Sequence, residues 1–147
     1  MSVVDDIRAM FPGRSFGASC TAADIRRAED ALGEPLPPGL RELYLAFDGF
    51  RGSTNASFFW PLFGSEGLVE MNQFYRGDDL FPQTLVSQCL FFGDNGCGPQ
   101  WGFKRDMLGA IIKWDAGWGA DFEIAGESPF DVWRAEKQFY DSLDEKM

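Results

Sequence analysis

The stretch of residues 91–114, rich in glycine and aromatic residues, constrains the fold more than any other part of this chain. Apolar runs at 85–92 and 110–114 enclose a shorter segment at 100–103. The turn Asp94-Asn95-Gly96 follows the first run, and Asn-Gly between apolar segments predicts a hairpin because both residues tolerate positive φ. The stretch therefore predicts the centre of an antiparallel sheet.

Two helices are predicted ahead of this sheet, within residues 21–49. Thr21 and Asp24 have the spacing of a capping box, with Asp in the place of Glu. Apolar residues then recur at helical spacing, and Pro38 suits the first turn of a second helix. Residues 21–49 are therefore expected to form a helical pair, which a short amphipathic helix at 3–11 precedes.

The segments between the helical pair and the last helix are less regular. Pro61 interrupts the apolar run at 58–63, which favours an edge strand or a broken one because proline lacks an amide donor. Residues 67–71 suit either a short strand or the approach to a helix, and residues 72–76 suit a single helical turn. Residues 122–125 alternate in polarity, which predicts another short strand.

A last helix is predicted to begin at Ser128-Pro129, because serine is a favoured cap and proline a favoured first residue. With 147 residues, the chain has the length of one domain, residues 1–147. We therefore expect an α+β fold in which an N-terminal helical pair and a C-terminal helix flank an antiparallel sheet.

Charge and missing residue types restrict the function. The chain has 13 basic and 23 acidic residues, a net charge of −10, and no histidine. A negative surface disfavours nucleic acid and anionic membranes, whose phosphates attract Lys and Arg, and it favours a basic partner. The absence of histidine removes the commonest general base and zinc ligand. We expect a protein that is not an enzyme, with no catalytic residues, no cofactor and no metal.

The cysteines and the N-terminus predict a cytoplasmic chain. Cys20, Cys89 and Cys97 are odd in number and lack metal-site spacing, which indicates a reducing compartment, although a bridge from Cys89 to Cys97 could span the hairpin. The N-terminus lacks the basic and apolar regions of a signal peptide, and no run reaches the ~18 apolar residues of a membrane span. The oligomeric state is left open by the sequence.

Carboxylates without nearby cations are candidates for binding a basic protein. Residues 114–131 contain neither Lys nor Arg. Three tryptophans near glycine-containing turns, Trp60, Trp101 and Trp118, add aromatic candidates. The alternative is that these carboxylates are loop and cap residues that simply remain in water. The residues expected to bind the partner are Asp78, Asp79, Asp94, Asp115, Trp118, Asp121 and Glu123.

Other kinds of site fit the sequence poorly. The turn Asp94-Asn95-Gly96 could begin a calcium loop, but the twelfth position, which requires Glu, is Arg105. The glycines at 93–98 precede a strand and not a helix N-terminus, so they do not form a phosphate loop. A carboxylate pair such as Asp94 with Asp115 would suit a glycosidase, which leaves a carbohydrate enzyme or binding protein as one alternative.

Four blocks of sequence occur in an order that is typical of one family. Residues 24–49 place Leu-Pro-Pro between two helices and end in Asp-Gly, and residues 91–103 begin with Phe-Phe-Gly and end with Gly-Phe. Residues 111–115 read Ile-Ile-Lys-Trp-Asp, and residues 128–130 read Ser-Pro-Phe. The blocks cover about residues 21–143, and over this length the chain resembles the SUKH superfamily.

The resemblance implies a SUKH-like α+β fold and a non-enzymatic role. The superfamily includes a yeast regulator of cell-wall synthesis and many bacterial immunity proteins, which bind toxin domains, often nucleases. The chain departs from the family pattern at Pro99-Gln100 and in the glycine-rich loop 117–119. We expect an immunity protein that occludes a cognate toxin domain, specifically a basic nuclease. The alternative is a regulatory domain of the same fold that binds other proteins.

Overall fold

The computed structural model describes residues 2–53, 55–107 and 109–146, with side chains described as far as Asp144. Its strands form one antiparallel sheet in the order β1-β2-β3-β4. The α+β fold, with helices before the sheet and one after it, is therefore confirmed. The elements along the chain are α1 (Val3–Met10), α2 (Ala22–Leu32), α3 (Pro38–Ala46), α4 (Leu68–Arg76), α5 (Gln83–Val86), β1 (Cys89–Asp94), β2 (Gln100–Lys104), β3 (Ile111–Trp114), a 3₁₀ helix (Ala116–Trp118), β4 (Glu123–Gly126) and α6 (Pro129–Lys146).

The helices begin where the capping residues predict. The Thr21 hydroxyl accepts a hydrogen bond from the Asp24 amide at 3.1 Å, and the Asp24 carboxylate accepts one from the Thr21 amide at 2.9 Å. Pro38 is the first residue of α3. The Ser128 hydroxyl caps α6 by accepting from the amide of Asp131 at 3.1 Å. Each cap satisfies amide groups that lack a partner within the helix.

The central hairpin is formed by β1 and β2, as the Asn-Gly turn predicts. Asp94 is paired with Gln100 in the ladder, so residues 95–99 form the connection. Gly96 has a φ of +80°, the left-handed conformation that glycine adopts without steric cost. The β1–β2 register shifts between Phe91 and Gly93. At this bulge the backbone of Phe58 approaches β1 closely. A Cβ at Gly93 would lie 1.9 Å from the Phe58 carbonyl oxygen, so only glycine fits there.

Helix replaces predicted strand in two segments. The strand predicted at 85–92 begins only at Cys89, because the carbonyl of Pro82 accepts the amides of Leu85 and Val86 and turns the chain into α5. Of the two alternatives for residues 67–71 the strand is wrong, and the helical turn predicted at 72–76 is the second half of a longer helix, α4, which begins at Leu68. In both cases the apolar side chains are buried against the sheet, which overrides local strand preference.

The segment at 57–60 covers the outer edge of β1 as a broken strand. The Trp60 amide donates to the Phe92 carbonyl at 2.7 Å, and the Asp94 amide donates to the Ser57 carbonyl at 2.9 Å. Farther along the same edge, the buried Asn72 side chain bonds both the amide and the carbonyl of Phe91, each at 2.9 Å. The polar groups of this edge are thereby satisfied without a neighbouring strand.

The sheet packs a core against each face. One core includes Phe92, Trp101 and Trp133, with apolar residues of α1, α2 and α3. The other includes Tyr75, Phe91 and Trp114, with apolar residues of α5. Trp60 and Trp101, which the sequence offered as aromatic candidates near turns, are not exposed on the surface: they are 2% and 1% exposed within the cores.

Candidate partner-binding face

Two of the predicted carboxylates meet at one end of the sheet. Gln100, the first residue of β2, is paired with Asp94 on one side and with Trp114 on the other. Asp94 ends β1 and Asp115 immediately follows β3, so the two carboxylates lie on either side of Gln100. A Cβ at Gly98 would lie 2.5 Å from Oδ2 of Asp115, which places the hairpin connection beside that carboxylate. The antiparallel register therefore gathers both groups.

The Asp94 carboxylate is held by two neutral donors. Oδ2 accepts from the Trp60 indole N–H at 2.9 Å, and Oδ1 accepts from the Gly96 amide at 2.9 Å. Trp60 is itself fixed by the backbone hydrogen bond to Phe92. The carboxylate is half-buried and retains part of its exposed surface. Asp94 is therefore oriented in advance and still faces solvent.

The Asp115 carboxylate is held in a similar way by the backbone that follows it. Oδ1 accepts from the Gly117 amide at 2.8 Å and caps the 3₁₀ helix Ala116–Trp118. Trp118 ends this helix half-buried, and its carbonyl accepts from the Asp121 amide at 3.2 Å. We call the surface formed by Asp94, Asp115, Trp118 and Asp121 the acidic end. Its four members all come from the predicted set.

Tyr75 lies beneath the acidic end and is affected by both fixed carboxylates. Burial is the main cause that raises the pKa of Tyr75, and the charges of Asp94 and Asp115 raise it further, whereas the hydrogen bond from Gln100 lowers it. The Tyr75 ring packs edge-on against Trp114, with centroids 5.4 Å apart. The charges of both carboxylates therefore act on the same Tyr75 hydroxyl.

Asp78 and Asp79 lie in the loop after α4, which is connected to the sheet end through an aromatic contact. The Phe81 ring lies 4.8 Å from Tyr75 and 6.3 Å from Trp114, centroid to centroid. Asp78 is fixed by accepting the Leu80 amide at 2.9 Å, whereas Asp79 is exposed. Asp78 and Asp79 therefore lie in a loop whose Phe81 contacts Tyr75 and Trp114, but they are not part of the acidic end.

Glu123 is separated from the acidic end by its position on β4. Its carboxylate lies 3.3 Å from the Lys113 ammonium on the neighbouring strand. Both side chains are substantially exposed, and such surface pairs contribute at most about 1 kcal/mol. Glu123 therefore has an ion-pair partner, in contrast to Asp121, which is exposed and for which no ion pair is found among the described residues.

The structure adds apolar surface that sequence reasoning missed. Leu80 is 90% exposed and Phe74 is 55% exposed, and Phe74 packs at 5.4 Å on Phe81. Large exposed apolar groups beside carboxylates are typical of the centre and rim of a protein interface. Leu80 follows Asp78-Asp79 directly in the sequence, and this break in a polar loop was the available signal.

The remaining chemistry is sparse. In residues 2–53, 55–107 and 109–146 no three side chains of the metal-binding types come together. Cys20, Cys89 and Cys97 are free, so the hairpin bridge is not formed. Burial raises the pKa of Cys20 and of Cys89 to about 12 in each case, which keeps both thiols protonated and unreactive. None of the helices, as far as they are described, combines the length and apolarity needed to cross a bilayer.

Comparison with known proteins agrees with the arrangement of helices and sheet. The family model described as the SMI1 / KNR4 family (SUKH-1) matches residues 19–145. None of the curated proteins matches the chain. A domain of this type suggests protein–protein interaction, which suits an end of the sheet that bears fixed carboxylates and exposed apolar groups. Because the family match extends over most of its length, the chain belongs to the SMI1 / KNR4 family (SUKH-1).

Proposed function

We propose that this chain is an immunity protein that binds a cognate toxin domain, a basic nuclease, and neutralises it by occlusion. The acidic end is the observation that carries the proposal, because it combines oriented carboxylates with an absence of ion pairs to Asp94 and Asp115 among the described residues. In this proposal the chain acts as a single domain in the cytoplasm, without catalysis and without a cofactor.

Electrostatics supports a basic target. A nuclease site attracts phosphates, so its surface potential complements a chain with a net charge of −10. Complementary charge raises the association rate more than it raises the intrinsic affinity. The exposed carboxylates of Asp79, Asp121 and Glu123 suit this long-range role. Occlusion follows if the acidic end covers the surface that would otherwise receive nucleic acid.

Pre-organisation supports tight binding. Asp94 and Asp115 already make hydrogen bonds to the indole and backbone donors that fix them. A side chain that is ordered before association loses less conformational entropy on binding. Leu80 and Phe74 supply exposed apolar area near Asp78 and Asp79, and removing apolar area from water favours association.

A growth experiment tests the proposal. The toxin domain encoded beside this chain is expressed in cells with this chain, with an unrelated acidic protein of similar size, or alone. The proposal requires that growth is rescued by this chain and not by the acidic control. If the domain is toxic and this chain gives no protection, the immunity proposal is wrong, and a pull-down that recovers host proteins instead would favour the regulatory alternative.

A further inference from the structure

A cavity of about 430 Å³ opens beside the acidic end. It is bounded by the hairpin connection, by the segment that covers β1, and by the start of α4. Close backbone packing shapes it, since a Cβ at Gly96 would lie 2.6 Å from the Asn55 carbonyl oxygen. The lining residues that matter here are Trp60, Glu66, Asp94 and Gln100, with Arg51 as a cation in the wall.

Gln100 is an unusual lining residue because one atom of its buried amide lacks a partner. The side chain is 8% exposed, and its Nε2 donates to the hydroxyl of Tyr75. Its Oε1 makes no hydrogen bond within the described part of the chain. An unpaired buried polar atom costs about 1–3 kcal/mol. A buried polar atom without a partner calls for an explanation, and a ligand that donates hydrogen bonds to Gln100 supplies one.

Carboxylates outnumber cations around Gln100, which favours a cationic ligand even though Arg51 also lines the cavity. Asp94 and Glu66 line the same cavity, and Asp115 acts on Tyr75 from beyond Gly98. The hydrogen bonds from Trp60 and Gly96 use two of the roughly four acceptor positions of the Asp94 carboxylate. Acceptor capacity therefore remains on Asp94 next to the unpaired acceptor of Gln100.

We propose that this cavity receives an arginine side chain of the toxin domain, an inference that rests on the proposed function for its ligand. The guanidinium group presents several donors in a planar fork and accepts no hydrogen bond. One edge of the fork pairs with the Asp94 carboxylate, and a further N–H reaches Oε1 of Gln100 once the Gln100 amide, which is enclosed in this structure, turns toward the cavity. Arginine inserted into a pocket is a frequent centre of binding energy in protein interfaces.

The test uses the free chain and two small probes. N-acetyl-arginine methylamide is compared with the citrulline analogue, which has a similar shape and no charge, while the Trp60 indole and Gln100 side-chain amide resonances are followed by NMR. Saturable shifts with arginine and none with citrulline would support the inference. No saturation with arginine, or equal shifts with both probes, would overturn it.

Three variants locate the binding. Gln100→Met removes the acceptor at nearly constant volume, and Asp94→Asn and Glu66→Gln each remove a charge. Gln100→Met and Asp94→Asn are each expected to weaken arginine binding at least tenfold, and Glu66→Gln is expected to weaken it about threefold. The matched controls, which lie outside the cavity lining, are Gln73→Met, Asp30→Asn and Glu70→Gln. Equal effects of variants and controls would contradict the assignment.

Folding and function are separated by two further readouts. Gln100→Met removes the unpaired acceptor and also the hydrogen bond to the Tyr75 hydroxyl, so its melting temperature is measured to show that the variant is folded. Loss of arginine binding in a folded variant therefore reports the site. If the chain rescues growth but ignores arginine, only the cavity inference fails. If it binds arginine but gives no protection, only the immunity proposal fails.

Discussion

Carboxylates are used in opposite ways at two regions of this molecule. At the turn between α2 and α3, the Glu34 carboxylate forms ion pairs with Arg76 at 2.5 Å and with Arg105 at 2.6 Å. At the acidic end, Asp94 and Asp115 are held by neutral N–H donors. The Glu34 ion pairs hold the turn against the sheet. The hydrogen bonds to Asp94 and Asp115 fix the orientation of these two carboxylates and leave their negative charge for a partner.

The contrast separates stability from binding. Arg76 also donates to the carbonyl of Cys89 at 2.7 Å, so the Glu34 cluster connects α4, β1 and the turn. The Glu34 side chain is 15% exposed, and removing its carboxylate takes the counter-charge from two arginines. Removing a charge from the acidic end leaves no internal cation behind. Substitutions in the first region should affect folding, and substitutions in the second should affect association.

The largest expected effect on stability comes from Glu34→Ala. It should lower the free energy of unfolding by about 2–3 kcal/mol, because the partly buried Arg76 guanidinium loses its counter-charge. Glu42→Ala, at an exposed position on α3, is the control and should change it by less than about 0.5 kcal/mol. Urea unfolding of both variants measures the difference. If both variants lower the free energy of unfolding equally, the Glu34 cluster does not have the structural role assigned to it.

An intermediate effect is expected on binding from Leu80→Ser. Because Leu80 is 90% exposed, the free energy of unfolding should change by less than about 0.5 kcal/mol. Binding to the toxin domain should weaken roughly tenfold, about 1.4 kcal/mol, through lost apolar contact. Leu45→Ser, which is 45% exposed on α3, is the matched control. Calorimetric titration that finds both variants unchanged would exclude the loop after α4 from the interface.

The smallest effect concerns Glu29, which belongs to the structural region. The hydrogen bond from the Leu36 amide, helped by Arg41, lowers the pKa of Glu29 below its ordinary value of 4.5. A lowered carboxyl pKa stabilises the folded state fully above the ordinary pKa, and the contribution is lost as the pH falls through the lowered pKa. The wild type should therefore exceed Glu29→Gln in stability at pH 7, and the difference should shrink below about pH 4.5. A difference independent of pH would contradict this account.

The sequence predicts the parts of the fold that are specified locally. Thr21, Pro38 and Ser128 signal helix starts through their own backbone chemistry, and the Asn-Gly turn signals the hairpin. Helix α4 was predicted only in part, as a single turn at 72–76, and the buried Asn72 interrupts its apolar stripe. Asn72 is buried for a reason that lies 19 residues away, where it bonds the backbone of Phe91. No local pattern contains that information.

The candidate site was predictable in its charge and not in its geometry. The lack of cations at 114–131 pointed to Asp115 and Asp121. The pairing of Asp94 and Asp115 across Gln100 depends on the strand register, and the unpaired amide oxygen depends on Tyr75, which α4 brings from elsewhere in the chain. Sequence supplied the residue types, and long-range packing decided which of them act together.

The central claim is that binding of the toxin domain depends on the position of the carboxylates at the acidic end, and not on the total charge of the chain. The affinity of the purified toxin domain is measured for Asp115→Asn/Asp121→Asn and for Asp30→Asn/Glu42→Gln, which removes the same number of charges from exposed positions on α2 and α3. We predict that the first pair weakens binding at least tenfold, most strongly at low salt, and that the second changes it less than threefold. Equal losses, or no loss for the first pair, would contradict the account.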